Sequence, residues 1–153
     1  MEMEDPPFPA EQIREGCPAG RWSKYRIEAP GEPTVITVTE FTNVDEAGAV
    51  YRVTTYDEDE NQLGEPKTRE ASWTQFEHHA TYPRAATTVS DGEIDVPAGT
   101  FEGWIYTIVE EHEDETIVTR AEFARDIPGP PAKHTVTRDG EPASKMVLLE
   151  WGT

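Results

Sequence analysis

The sequence predicts a mainly β, single-domain protein, either a curved antiparallel sheet or an open β-barrel, with at most one or two short helices. Three observations carry this expectation. From Arg21 onward the chain runs in short segments rich in Val, Ile, Thr, Tyr and Trp, separated by turn residues, which is the composition of strands. A single stretch, Ser72–Ala80, places apolar residues at helical spacing (Trp73, Phe76, Ala80). The length of 153 residues suits one domain, and four Trp, five Tyr and five Phe supply a core although only 35% of the chain is hydrophobic. A compact chain of this mass buries roughly 70% of the surface its unfolded form exposes.

The elements follow in order. Residues 1–20 hold Pro6, Pro7, Pro9 and Pro18 and read as an extended N-terminal arm with at most one helical turn around Ala10–Glu15, because the residue before each proline avoids the helical region. The β domain then occupies 21–153. Strands are expected at Trp22–Glu28, Thr34–Phe41, Val50–Tyr56, Lys67–Trp73, Thr87–Val96 with a break near Asp91-Gly92, Phe101–Glu110, Thr116–Ala124, Ala132–Arg138 and Ser144–Glu150. Three pairs read as hairpins. Asp45-Glu46-Ala47-Gly48 joins the first, the acidic run before Thr116 joins the second, and Asp139-Gly140, the strongest turn signal in the chain, joins the third. Within Trp104–Val109, alternation puts Trp104, Tyr106 and Ile108 on one face and Ile105, Thr107 and Val109 on the other. Both faces are apolar, so both are expected to be covered. The Ser72–Ala80 segment is expected to form a short helix or loop that plugs the sheet, ended by Pro83.

Charge limits the function classes. The chain carries 13 Lys+Arg against 31 Asp+Glu, a net −18. Nucleic-acid binding is not expected, because it draws on Lys and Arg to replace counterions along the phosphates, and anionic membrane surfaces are disfavoured for the same reason. No apolar run reaches the length of a bilayer span, and the start Met1-Glu2-Met3-Glu4-Asp5 is acidic where a secretory signal is basic and then apolar. The acidic residues concentrate in two runs, Asp57-Glu58-Asp59-Glu60 and Glu110-Glu111-His112-Glu113-Asp114-Glu115. These read as solvated loop tips, or as a partner-binding surface in which Asp57, Asp59, Glu110, Glu111, Glu113 and Asp114 attract a basic protein.

Catalytic and metal motifs are not found. Asp57, Asp59 and Asn61 share the alternating oxygen spacing of a calcium loop, but Gln62 stands where that loop needs Gly and Thr68 where it needs Glu. Adjacent His78 and His79 point in different directions on a helix or a strand. The chain has no Gly-x-Ser-x-Gly elbow, Gly-rich phosphate loop or His-Glu-x-x-His, so neither an enzyme nor a cofactor is expected. Cys17, the only cysteine, excludes an intramolecular disulfide and reads as a structural thiol.

Two corners stand out: Val96-Pro97-Ala98-Gly99-Thr100-Phe101 before the aromatic strand, and Phe123-Ala124-Arg125-Asp126-Ile127-Pro128-Gly129-Pro130-Pro131 after its partner. Their order over residues 87–150 resembles small bacterial β-sheet proteins of the lipoprotein-carrier-like class, whose strongly curved antiparallel sheet wraps a helix or loop. The resemblance implies a fold and brings no catalytic residues. The expected function is noncatalytic binding of an apolar or amphipathic molecule on the concave face, lined by Trp73, Phe76, Trp104, Tyr106 and Phe123, with Trp22, Tyr51 and Phe101 as further candidates.

Overall fold

The structure, a computed structural model, describes residues 2–153. It is mainly β, as expected. The strands are β1 (Trp22–Glu28), β2 (Val35–Val44), β3 (Gly48–Tyr56), β4 (Lys67–Ser72), β5 (Thr87–Val96), β6 (Gly99–Glu111), β7 (Thr116–Ala124), β8 (Lys133–Arg138) and β9 (Glu141–Gly152). Two short helices accompany them, α1 (Ala10–Gly16) and α2 (Trp73–His78). No described helix is long and apolar enough to cross a membrane.

All nine strands form one antiparallel sheet in the order β4-β3-β2-β1-β9-β8-β7-β6-β5. Two sequential meanders are therefore joined where the first strand pairs with the last. Among the described residues β4 and β5 are unpaired edges, and the sheet does not close into a barrel. It is nevertheless curled, because Ala98 in the β5–β6 turn donates its N–H to Leu148 O on β9, a strand three places away (3.2 Å). Strict alternation across the sheet sends β4 and β5 in the same direction, so residues 73–86 must travel the length of the sheet between them.

That crossover and the N-terminal residues fill the concave face. Ser72 ends β4 and caps α2: its hydroxyl accepts from Gln75 N (3.1 Å), while Gln75 Oε1 accepts from Ser72 N (2.7 Å). This reciprocal cap is why the expected strand through Trp73 stops one residue earlier and the chain turns inward. Trp73, 5% exposed, then donates its indole N–H to Asp45 O (2.8 Å). The arm runs beside the end of the crossover, with Glu4 N–H donated to Tyr82 O (2.7 Å) and Arg84 N–H to Glu2 O (3.0 Å). Its Phe8 is buried edge-on to Trp104 and Phe123, so the arm belongs to the main core with Ile13, Phe41, Tyr106 and Ile108. A second cluster gathers Ile94, Tyr25, Ile127, Ala132 and Leu148 where the β5–β6 tip curls over the β7–β8 connection.

Two local expectations are corrected. β5 runs unbroken through Asp91-Gly92, because Gly92 lies opposite Gly103 on β6. A Cβ at Gly103 would collide with the Phe123 carbonyl and the Ile94 side chain, so the missing side chains let the ladder bend without breaking. The outer face of β6 is not fully covered: Tyr106 and Ile108 are buried while Val109 is 42% exposed, because helices and arm pack on one face only. Replacing Gly103 by Ala is expected to destabilise the protein by about 1–3 kcal/mol through overpacking, read as a lower urea midpoint with unchanged slope.

Candidate functional site

The packing of crossover and arm against the sheet leaves a cavity of about 320 Å³ on the concave face. One wall is sheet: Phe123 on β7, His134 on β8 and Met146 on β9. The register explains the grouping, since Ala121 pairs with His134 and His134 with Met146, so alternate residues of three adjacent strands share this face. The opposite wall is the crossover, with Phe76, His79, Ala80 and Tyr82. Ile13 and Cys17 at the end of α1, with the Pro130-Pro131 corner, close one end.

That end is fixed by Arg21, which is 2% exposed. Its Nη1 donates to Gly16 O (2.6 Å) and Pro128 O (3.1 Å) and reaches Cys17 Sγ at 3.3 Å. Its guanidinium carbon stands 5.4 Å from the centre of the Trp151 ring. Cys17 also donates toward Pro128 O (3.5 Å). Burial pushes the Cys17 thiol above its ordinary pKa, the Arg21 charge opposing, so the thiol is protonated at neutral pH and not activated as a nucleophile.

The aromatic residues expected to line a binding face divide in two. Phe76 and Phe123 line the cavity. Trp73, Trp104 and Tyr106 do not border it; they are engaged in packing, Trp104 beneath Phe8 and Tyr106 through its phenol, which donates to Asp5 O (2.7 Å). Burial, reinforced by the carboxylates of Glu4 and Asp5 and by Tyr82, pushes the Tyr106 phenol up to about 12. Tyr51 packs on Phe41 and Phe76, Phe101 sits in the second cluster, and Trp22 lies on the opposite face, against Gly152. Sequence reasoning missed Ile13, Ala80, His134, Met146 and the proline corner. Cys17 and Pro128 are 111 residues apart, and no local pattern announces that they meet.

The acidic candidates occupy a different surface. Alternation places the β1–β2, β3–β4, β6–β7 and β8–β9 turns at one end of the sheet. The β3–β4 turn carries Asp57, Glu58, Asp59, Glu60 and Glu65, the β6–β7 turn carries Glu113, Asp114 and Glu115, and none of the four turns contains Lys or Arg. Glu110 and Glu111 end the strand leading into the second of these turns. Asp57 organises its turn, with Oδ1 accepting from Asp59 N and Asn61 N (2.9 Å each). Hydrogen bonds from the Asn61 backbone above all hold its carboxyl below the usual carboxylate range. The Asp-x-Asp-x-Asn spacing is thus used within the turn, and no group of three or more metal-ligating side chains comes together among the described residues. Nearby, Glu115 is paired with Arg138 (2.7 Å), and Glu110 lies 3.7 Å from His112.

Compared with known families, curated proteins and solved structures, the chain matches none of them.

Burial pushes His134 below its ordinary pKa of 6.5. The sign follows from linkage: the folded state disfavours the imidazolium, so this contribution to stability is complete above the unfolded pKa and is lost as pH falls through the lower folded one. Replacing His134 by Gln is expected to remove that component, so wild type loses stability relative to H134Q as pH is lowered below about 6.5, measured by paired urea titrations.

Proposed function

We propose that the protein is a noncatalytic binding protein that holds a small apolar or amphipathic molecule in the cavity between the crossover and strands β7–β9. The observation that carries this reading is the cavity itself: about 320 Å³, walled by Phe76, Phe123, Met146 and the proline corner. That volume lies at the lower end of the roughly 300–1,000 Å³ typical of small-molecule sites, which are mostly apolar with a few polar groups. The Cys17 thiol in its wall is held in the neutral form by burial, which suits an apolar guest. N-Phenyl-1-naphthylamine, an uncharged fluorescent probe, is expected to bind saturably with one site per chain. Ala80→Phe, which fills the cavity from the crossover side, is expected to weaken it at least tenfold. Absence of saturable binding to the wild-type protein rejects the reading.

A second reading is favoured by the gathering of the acidic turns at one end: an interaction protein that docks a basic partner there. Beside the β3–β4 turn the outer face offers apolar footing on Ile36, Val38, Tyr56 and Leu149, rimmed by Asp57, Glu58 and Glu60 on one side and by a single cation, Lys24. Association of this kind is steered by charge and weakens with salt. A decalysine peptide is expected to bind at low salt. Binding should fall at least tenfold when Glu58, Glu60, Glu113 and Asp114 are replaced by their amides; unchanged affinity in that variant rejects this end as the docking surface.

A further inference from the structure

The cavity's lining differs in kind from the rest of the molecule. The chain is 29% charged, yet no Asp, Glu, Lys or Arg lines this space. Building on the cavity reading above, we propose that its ligand is an uncharged, compact apolar molecule carrying one hydrogen-bonding group, and that ionised acids and amines of the same shape are excluded.

The polar side chains that face the cavity are Cys17 from the end of α1, His79 and Tyr82 from the crossover, and His134 from β8. His134's neighbours across the ladder on this face, Ala121 and Met146, do not titrate. Burial favours the neutral form of Cys17, Tyr82 and His134 alike. His79 stands edge-on to Phe76, with ring centres 6.1 Å apart. An ion entering this space gives up its hydration and finds apolar walls with a few weak dipoles, which does not compensate the loss. Arg21 is the one cation near this space, with its Nη1 taken by the Gly16 and Pro128 carbonyls and its buried Nε without a hydrogen-bond partner, but it approaches Cys17 from behind the lining and is not itself part of the cavity wall. A hydroxyl or carbonyl group is different, because a neutral imidazole both donates and accepts hydrogen bonds.

Three ligands on one skeleton test this. 2-Naphthalenemethanol, 2-naphthoate and 2-(aminomethyl)naphthalene are titrated calorimetrically into the full chain at pH 7.5, with Ala80→Phe locating the site. Met146→Phe replaces that variant if it does not fold. The expected result is that the alcohol binds at least tenfold more tightly than either ion and that the filled variant loses it. A preference for the alcohol of less than tenfold, or tighter binding of naphthoate or the amine, overturns the neutral-ligand inference while leaving the cavity reading intact; tighter naphthoate would assign Arg21 a direct role. Failure of all three to bind, or alcohol binding that survives filling of the cavity, overturns both.

Discussion

A single buried guanidinium holds together the parts on which the interior depends. Arg21 immediately precedes β1, and its Nη1 joins the last turn of α1 to the β7–β8 connection through the Gly16 and Pro128 carbonyls, while Trp151 at the end of β9 covers its face. Among the described residues its charge has no carboxylate within 4 Å, although the chain holds 31 acids. Carbonyl dipoles and an aromatic face offset part of the cost of burying it, and its Nε stays buried without a hydrogen-bond partner. The fit leaves little slack, since a Cβ at Gly16 would lie 2.8 Å from Pro128 Cγ. With this clasp in place, Cys17 and the proline corner close one end of the cavity.

The molecule thereby keeps its two kinds of surface apart. The acidic turns project from one end of the sheet, where Asp57 and the Glu115–Arg138 pair order them. The crossover, α1 and the arm cover the concave face, and the space they enclose with the sheet is lined without formal charge. Of the residues that make up the net charge of −18, none lines the cavity.

Much of the architecture was legible because it is local. Period-2 alternation and turn residues located the nine strands, and Asp139-Gly140 adopts the positive φ values (50° and 82°) that a tight hairpin of this composition requires. The start of α2 is written in Ser72-x-x-Gln75, a capping signal passed over when the strand was expected to run through Trp73. The Asp91-Gly92 break was misjudged because a glycine's meaning depends on its partner, and only the register reveals Gly103 opposite it. The site was half legible for the same reason. Phe123 on its strand and Phe76 on its helix are apolar residues on inward faces, as the strand and helix periods imply, but so are Trp104 and Tyr106 on β6 and Trp73 on α2, and the difference lies in what covers them. Phe8, set in a proline-rich arm that reads as extended, fills the space over Trp104, and a polar main-chain group of that arm takes the Tyr106 hydroxyl.

Binding of the proposed kind requires that the space between the crossover and β7–β9 admit a neutral apolar guest. Apolar cavity walls take up xenon, whereas polar ones hold ordered water. The most direct measurement is a crystal structure of the protein under xenon pressure. The account predicts xenon among Phe76, Phe123 and Met146. A space without xenon, filled instead by ordered waters bonded to His134, would contradict it.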